Sequence, residues 1–269
     1  MAESAMLVLH ELRKTFNPGT VMSKMALAGV NLSLARGDFV TVIGGNGAGK
    51  STMLNAIAGT FQIDNGSILL AGRDLTHLPE HRRALLLGRV FQDPMTGTAA
   101  SMNIEENLAL AARRGQPRGL RWGISAKERA FYRERLASLD LGLESRMGSK
   151  VGLRSGGQRQ ALTLLMATLK KPELLLLDEH TAALDPKTAA KVLRLTSQLI
   201  RENGLTALMV THNMKDALAL GNRMIMMHEG KIILDLDEEQ KRHTTVEDLL
   251  AQFGKASGRE LASDRMLLT

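Results

Sequence analysis

The sequence contains no cysteine, and none of its apolar runs approaches the length of a membrane span. Without cysteine the chain has no disulfide and no thiolate metal site, which is compatible with a reducing compartment. A helix needs roughly 18 apolar residues to cross a bilayer, so if the protein acts at a membrane, another chain is expected to cross it. The N-terminal segment carries Glu3 and no basic stretch before a long apolar run, so we expect no signal peptide.

Aromatic residues are also scarce, at 3% of the chain, whereas basic residues are in excess. The 35 lysines and arginines outnumber the 28 acidic residues, and the formal net charge is +7. Such a charge occurs in proteins that bind nucleic acid and in proteins at an anionic membrane surface, and part of it is simply solvated. Because few rings are present to stack on bases, the sequence disfavours nucleic acid as the partner.

Strand and helix patterns alternate along most of the chain, which predicts an α/β fold with a largely parallel sheet covered by helices. Fully apolar runs such as 174–177 are typical of strands covered on both faces. Gly59 ends the first predicted helix, and Pro186 begins a long one. The predicted strands are 39–43, 67–71, 174–177, 206–211 and 224–227, and the predicted helices are 50–58, 158–170, 186–201, 214–220 and 246–253.

The segment from about residue 95 to residue 155 differs, because no strand pattern is convincing up to about residue 150. Helical periodicity covers 104–113 and 126–141, so we interpret the segment as a helical subdomain inserted into the α/β core. Between these helices lies a basic loop, Arg113 to Arg121, that also contains glycine and proline. Docking of a partner and plain solvation are equally open for this loop.

The segment Gly44-Gly-Asn-Gly-Ala-Gly-Lys-Ser51 fits the phosphate-loop pattern G-x-x-x-x-G-K-[ST] and lies between a predicted strand and a predicted helix. Glycine lets the main chain turn tightly with its amides facing a phosphate, and the helix start adds partial positive charge. Lys50 can reach the β- and γ-phosphates, while Ser51 offers a hydroxyl to Mg²⁺ and Thr52 offers another near the phosphates. The pattern predicts a nucleoside triphosphate site.

An acidic pair, Asp178 and Glu179, follows the apolar strand 174–177. Open α/β sheets bind ligands at the carboxyl ends of their strands, so both carboxylates are expected to serve the same nucleotide. Asp178 is predicted to bind Mg²⁺, directly or through water. Glu179 is the better candidate for the general base that activates water for attack on the γ-phosphate.

Four further motifs occur along the chain, at 90–94, 154–158, 182–185 and 210–213, in an order that is characteristic of one family. Arg154-Ser-Gly-Gly-Gln158 is a glycine turn that opens a helix and therefore offers a second anion site. Val90-Phe-Gln92-Asp-Pro94 precedes the helical segment, Ala182-Ala-Leu-Asp185 follows the acidic pair, and Val210-Thr-His212-Asn213 ends a strand. Over about residues 7 to 235 the sequence resembles the ATPase domains of ABC transporters, in which these motifs are the signature, the Q-loop, the D-loop and the switch histidine.

The resemblance implies a P-loop NTPase fold of the ABC type, with a RecA-like core, an antiparallel β subdomain and an inserted helical subdomain in a single domain, 1–269. The core with its β subdomain would comprise 1–94 and 156–235. The helical subdomain would be 95–155, and a C-terminal helix and tail would follow at 236–269.

ATP and Mg²⁺ are the cofactors that the resemblance implies. Phe16 would stack on adenine and Asp185 would act across a dimer interface. The implied catalytic residues are Lys50, Gln92, Glu179 and His212, and the implied Mg²⁺ ligands are Ser51, Gln92 and Asp178. The implied nucleotide contacts are Phe16, Gly44, Gly45, Asn46, Gly47, Ala48, Gly49, Lys50, Ser51, Thr52, Ser155, Gly156, Gly157, Gln158 and Asp185.

In this family two domains pair head to tail, and each signature closes on the ATP held by the phosphate loop of the other. By this resemblance we expect a homodimer that works with integral membrane permease subunits and a substrate-binding protein. Its place would be the cytoplasmic face of the inner (plasma) membrane, and no direct contact with nucleic acid is expected.

Some residues fit the pattern less directly. Arg154 stands where the family usually has leucine; a surface or packing role is favoured, and contact with a phosphate or a partner subunit is open. His77 and His81 are four residues apart, but Pro79 separates them and the H-E-x-x-H pattern is missing, so we expect no metal there. His180 either shapes the dimer interface or makes a neutral hydrogen bond.

The presence of only one phosphate loop disfavours the soluble translation factors of the family, which generally carry two nucleotide domains. The segment before the signature holds no sustained heptads, which disfavours the DNA-repair and chromosome ATPases. We therefore expect a transporter motor, most simply of a bacterial importer; an exporter, or a soluble ATPase acting on nucleic acid or the ribosome, is the alternative. Segments 177–187, 211–214, 227–231 and 264–269 resemble motor subunits of importers assigned to tryptophan and tyrosine.

Overall fold

The computed structural model describes residues 5–116 and 123–257. The basic loop Arg113–Arg121 lies partly outside these residues, and the segment 264–269 lies outside them entirely. The strands are β1 (Leu7–Phe16), β2 (Lys24–Leu34), β3 (Phe39–Ile43), β4 (Asn65–Leu70), β5 (Arg73–Asp74), β6 (Leu87–Val90), β7 (Leu174–Asp178), β8 (Ala207–Val210), β9 (Arg223–His228) and β10 (Lys231–Leu236). The helices are α1 (Lys50–Ala58), α2 (Glu80–Arg83), α3 (Ile104–Ala112), α4 (Ala126–Ala137), α5 (Gly156–Thr168), α6 (Pro186–Asn203), α7 (Met214–Ala219), α8 (Glu238–His243) and α9 (Val246–Ser257).

The chain forms two compact units. Met1–Arg83 together with Gly204–Thr269 make up the first unit, and Ala84–Asn203 make up the second. The division into core, helical subdomain and tail that the family motifs suggest stays a prediction. No helix within the described ranges is both long and apolar enough to cross a bilayer.

Two sheets organise the first unit. One is antiparallel in the order β2-β1-β4-β5. In the other, β3 lies between β8 and β9 and is parallel to both, with Val42 paired with Val210 on one side and with Ile225 on the other. All five residues of β3 are buried, as expected for a strand in the middle of a covered sheet. The predicted combination of a parallel core sheet and an antiparallel β subdomain is confirmed.

The second unit contains the parallel pair β6 and β7, with Val90 opposite Leu177. The four leucines from Leu174 to Leu177 have no exposed surface. Three of its helices begin with a reciprocal capping box, in which the first residue and the residue three positions later bond each other's main-chain N–H; these are α3, α4 and α5. Such a cap satisfies two of the main-chain amides that are otherwise unpaired at the start of each helix.

Most predicted elements match the structure closely, and the differences have local causes. Helix α4 ends at Ala137 rather than 141, because Asp140 adopts a left-handed conformation with φ of 51°. Helix α9 continues to Ser257, beyond the predicted end at 253. The sequence patterns did not predict the strands β1, β2, β5, β6 and β10 or the helices α2 and α8. Strands β1, β2 and β10 mix polar and apolar residues, and each of the other four elements has six residues or fewer.

Candidate nucleotide site

The phosphate loop connects β3 to α1 and is built around glycines that approach other backbone closely. A Cβ atom at Gly44 would lie 2.2 Å from the carbonyl oxygen of Met227, and one at Gly49 would lie 2.6 Å from that of Ala26. Both glycines have positive φ, 147° and 102°, which side chains disfavour. Only glycine therefore allows this path of the loop between β9 and β2.

Lys50 is the first residue of α1, and its side chain folds back over the loop. Its Nζ donates hydrogen bonds to the carbonyl oxygens of Gly44 at 2.7 Å and of Gly45 at 3.1 Å. Only 5% of the residue is exposed. The ammonium group is thus held at the mouth of the loop, where the first amides of α1 also lack helical acceptors.

His212 lies beside the loop for a topological reason. It follows β8, the parallel neighbour of β3, and the amide of Thr211 donates to the carbonyl of Val42 at 3.1 Å. The amide of Asn213 donates to Thr211 Oγ1, and the Asn213 side chain caps α7. The segment carrying His212 is therefore fixed on both sides at the edge of the sheet where the phosphate loop begins.

Phe16, the predicted adenine platform, ends β1 and is 37% exposed. Phe61 meets it edge to face, with ring centroids 5.3 Å apart. The Nζ of Lys14 lies 5.7 Å from one centroid and 5.6 Å from the other, and it donates to Asp64 at 2.8 Å. That hydrogen bond and one from the amide of Thr15 lower the pKa of Asp64. The exposed ring thus has rigid support behind it.

In the second unit, the ends of β6 and β7 bring Gln92 and Asp178 to one edge. Val90, the last residue of β6, pairs with Leu177, so Asp178 at the end of β7 and the residues that follow β6 start at the same level of the sheet. Phe91 is tied down by Gln160, a fully buried side chain of α5 whose Nε2 donates to the Phe91 carbonyl at 3.2 Å. The two predicted Mg²⁺ ligands of this unit therefore lie on a common, anchored edge.

Glu179 follows directly and adopts the left-handed conformation, with φ of 46°. Non-glycine residues seldom do so, and they often do so at functional turns. The next residue, His180, is 2% exposed, and its ring contacts Thr196 on α6. Burial lowers the pKa of His180 to about 4. The structure thus favours a neutral, hydrogen-bonded His180 over a role in shaping a dimer interface.

The signature turn opens α5. Ser155 Oγ accepts a hydrogen bond from the Gln158 amide, and Gln158 Oε1 accepts one from the Ser155 amide, both at 3.3 Å. A Cβ atom at Gly157 would lie 2.1 Å from Cγ2 of Thr188 on α6, so this glycine permits close helix packing. Gly156 and Ser155 remain partly or fully exposed and form the accessible part of the turn.

Asp185 and Arg154 flank these motifs. The amide of Thr188 donates to Asp185 Oδ1 at 3.1 Å, and hydrogen bonds from Thr188 lower the pKa of Asp185. The predicted interface residue is thus also the cap of α6. Arg154 is half-buried, and its Nε has no hydrogen-bond partner among the described residues. Its side chain is therefore held partly by packing and is not fully exposed at the surface.

Sequence reasoning missed three residues that support the predicted site residues: Phe61 and Phe253 in the first unit and Gln160 in the second. Phe61 is a lone aromatic after the first helix, and Gln160 is a polar residue followed by an apolar run in α5. The only signals were these departures from the local pattern. Phe253 was assigned to an amphipathic helix, but nothing in the sequence indicates that this helix reaches Gly45.

The residues present suit a triphosphate and Mg²⁺. The space that a side chain at Gly44 or Gly49 would need is taken by neighbouring backbone, which leaves a glycine cradle with a lysine at its rim. In the first unit the hydroxyl of Ser51 is a hard oxygen donor of the kind that Mg²⁺ prefers, and in the second unit the amide of Gln92 and the carboxylate of Asp178 are such donors as well. The exposed Phe16 ring offers a stacking face for a base.

Comparison with known proteins agrees with this geometry. The family model described as ABC transporter matches residues 27–182. The tyrosine transport ATP-binding protein of Clostridioides difficile (strain R20291) is 42% identical over 253 residues, which cover 92% of this chain and 98% of that protein. The phosphonates import ATP-binding protein PhnC of Alcaligenes faecalis is 32% identical over 86% of this chain and 82% of its own length.

Solved structures show the same fold. The dimeric structure of MJ0796, a bacterial ABC transporter cassette, superimposes with a TM-score of 0.74 at 30% identity, covering 87% of this chain and 99% of that one. The ADP conformation of MJ1267, an ATP-binding cassette of an ABC transporter, gives a TM-score of 0.74 at 26% identity, covering 89% and 94%.

Proposed function

This chain belongs to the ABC transporter family as an ATP-binding subunit and ATPase, and we propose that it drives a bacterial importer of amino acids or a similar small solute. An aromatic amino acid is the first candidate, because a relative similar over nearly its whole length is named for tyrosine transport. The observation that best supports ATP binding and hydrolysis is the position of Lys50, whose ammonium group is held over the glycine-rich loop.

Binding is proposed to use the first unit. The ammonium of Lys50 would exchange its two carbonyl acceptors for oxygens of the β- and γ-phosphates, which are stronger, charged acceptors. Main-chain amides from Gly45 to Ser51 would surround the phosphates, and Thr52 would add a hydroxyl. Adenine would lie on the exposed face of Phe16.

Hydrolysis is proposed to use the acidic pair and the edge residues. Mg²⁺ would be held by Ser51, Gln92 and Asp178 and would neutralise charge on the phosphates. Glu179 would accept a proton from water as that water's oxygen bonds to the γ-phosphorus, while the bond to the bridging oxygen of ADP breaks. His212 would donate a hydrogen bond to the γ-phosphate, and the products are ADP and inorganic phosphate.

The active form is proposed to be a pair of chains that encloses two ATP molecules. The turn Ser155–Gln158 would meet the γ-phosphate bound by the other copy, and Asp185 would lie at that interface. A related cassette has been solved as a dimer, which supports this arrangement. Hydrolysis would add like charge and break the bridging contact, so that the pair reopens.

The proposed partners are permease subunits in the membrane and a substrate-binding protein, with this chain on the cytoplasmic face of the inner membrane. The import names of relatives such as PhnC support this direction. The chain's own residues are not expected to contact the transported solute, so substrate choice is assigned to those partners.

The test is reconstitution of this chain in liposomes with the permease and the binding protein from neighbouring genes. ATP hydrolysis should rise when the binding protein carries tyrosine or tryptophan, and labelled amino acid should enter only with ATP present on the side of this chain. A complex with Glu179→Gln should transport nothing. Outward movement of solute would favour an exporter, and ATPase activity stimulated by RNA rather than by the permease would favour the soluble alternative.

A further inference from the structure

The C-terminal helix α9 reaches the phosphate loop through one ring. A Cβ atom at Gly45 would lie 3.1 Å from Cζ and 3.5 Å from Cε2 of Phe253. Phe253 is only 8% exposed. The ring therefore fills the space that a side chain at the second residue of the loop would need, although the two residues are far apart in sequence.

The ring is held firmly from its other sides. It belongs to a buried cluster that includes Ile43, the last residue before the loop, and Met214, the first residue of α7. His228 at the end of β9 meets the ring edge to face, at a centroid distance of 5.5 Å and an angle of 83°. Because protein cores are densely packed and only slightly compressible, a ring anchored in this way resists displacement.

The preceding loop residue is confined as well. Gly44 lies so close to the carbonyl of Met227, also on β9, that a Cβ atom would come within 2.2 Å of it. The entry to the loop is thus bounded by strand β9 at Gly44 and by helix α9 at Gly45. Gly45 has no side chain to anchor itself, so its position depends on what packs against it.

We propose that Phe253 is a positioning residue for nucleotide binding: α9 braces Gly45 through this ring and thereby sets the affinity of the phosphate loop for ATP. The carbonyl of Gly45 is one of the two that hold Lys50, so a shift at Gly45 moves both the loop amides and the lysine. Hydrogen bonds to phosphate are sensitive to such shifts. The inference rests on the proposed nucleotide site.

The steric contact provides a direct test by a double-mutant cycle. Gly45 is not among the glycines with positive φ, so Gly45→Ala is compatible with the backbone and its methyl group strains only the contact with Phe253. We expect Gly45→Ala to raise the Kd for a non-hydrolysable ATP analogue about tenfold. Phe253→Leu alone should raise the Kd several-fold, and the double variant should bind better than Gly45→Ala alone because the smaller side chain makes room for the methyl.

Leu249→Ala is the matched control. Leu249 lies on the same helix and in the same cluster and has no exposed surface, so its truncation should lower the thermal midpoint at least as much as Phe253→Leu does. We expect the Kd of Leu249→Ala to stay near the wild-type value. At saturating ATP, kcat of Phe253→Leu should change less than its KM, since the hydrolytic residues are not displaced.

Lys50→Ala separates failure of the inference from failure of the site. If Lys50→Ala binds the analogue as tightly as the wild type, the proposed nucleotide site itself is wrong. If Lys50→Ala loses binding, the site stands and the bracing role is tested by two results. Strictly additive effects of the Gly45 and Phe253 substitutions on Kd would overturn the bracing role, and so would a rise in Kd for Leu249→Ala as large as that for Phe253→Leu.

Discussion

The buried imidazole of His180 donates its Nε2–H to Thr196 Oγ1 across 3.0 Å. The direction of this hydrogen bond follows from the second bond of Thr196. Its hydroxyl donates a hydrogen bond to the carbonyl of Val192 at 2.9 Å, so its oxygen can only accept one from His180. The neutral tautomer protonated at Nε2 fits this arrangement. A residue adjoining the proposed general base is thereby fixed to α6 without carrying charge.

The burial of His180 makes the free energy of unfolding depend on pH in the acidic range. Burial lowers the pKa of His180 from 6.5 to about 4, so between those values the unfolded chain binds a proton that the folded chain does not. The contribution to the free energy of unfolding is constant above pH 6.5 and falls by about 3 kcal/mol as the pH drops to 4. Chemical denaturation of the nucleotide-free protein across this range measures it.

A substitution isolates that effect. His180→Gln should be less stable than the wild type at pH 7.5 but should lose much less stability on acidification. His10→Gln, at an exposed position of β1, should retain the wild-type slope. An unchanged slope in His180→Gln would show that some other group causes the acid sensitivity.

Glu179→Gln should still bind ATP but hydrolyse it about 10² to 10⁴ times more slowly, because the amide cannot accept the proton of water. With ATP the variant should accumulate as a dimer, measured by light scattering. Glu229→Gln is a close control, since Glu229 has the same φ of 46° and its side chain is exposed. Normal turnover in Glu179→Gln would remove Glu179 from the mechanism.

The aromatic platform predicts a loss of affinity for the base. Phe16→Ala should weaken ATP binding about tenfold, as expected when one stacking contact is lost. Phe61→Leu should weaken it less, because the ring of Phe16 can still stack on the base. Phe131→Ala is the control, since Phe131 is 38% exposed, close to the 37% of Phe16, but lies in α4. Fluorescence titration with ATP and with triphosphate alone would show whether the loss depends on the base.

The buried side chain of Arg83 at the C-terminal end of α1 should contribute to the free energy of unfolding. Its guanidinium, 1% exposed, donates to four carbonyl oxygens, two of them at the end of that helix. Arg83→Met should lower the free energy of unfolding by about 2–4 kcal/mol, because buried carbonyls lose charged donors. The adjacent Arg82 is exposed, so Arg82→Met should change stability by less than about 0.5 kcal/mol. Urea denaturation compares the two, and equal effects would contradict the role of Arg83.

The site residues that could be predicted share a local cause. The glycine loop, Lys50 and the helix start lie in one stretch of chain, so their order implies their geometry. The strand 174–177 was predictable because complete burial requires a continuous apolar run. Strands β1 and β2 were missed because half-buried strands with irregular registers mix polar and apolar residues without a clean period.

The amino-acid order alone thus determined the alternation of strands and helices, the phosphate-binding turn and the placement of the acidic pair after a buried strand, since each depends on neighbours within about one element. Only the tertiary structure decided that Phe61 supports Phe16, that Gln160 anchors the residue before Gln92, and that the ring of Phe253 fills the side-chain space at Gly45. Periodicity shows which face of an element is buried, but packing between elements distant in the chain decides what that face contacts.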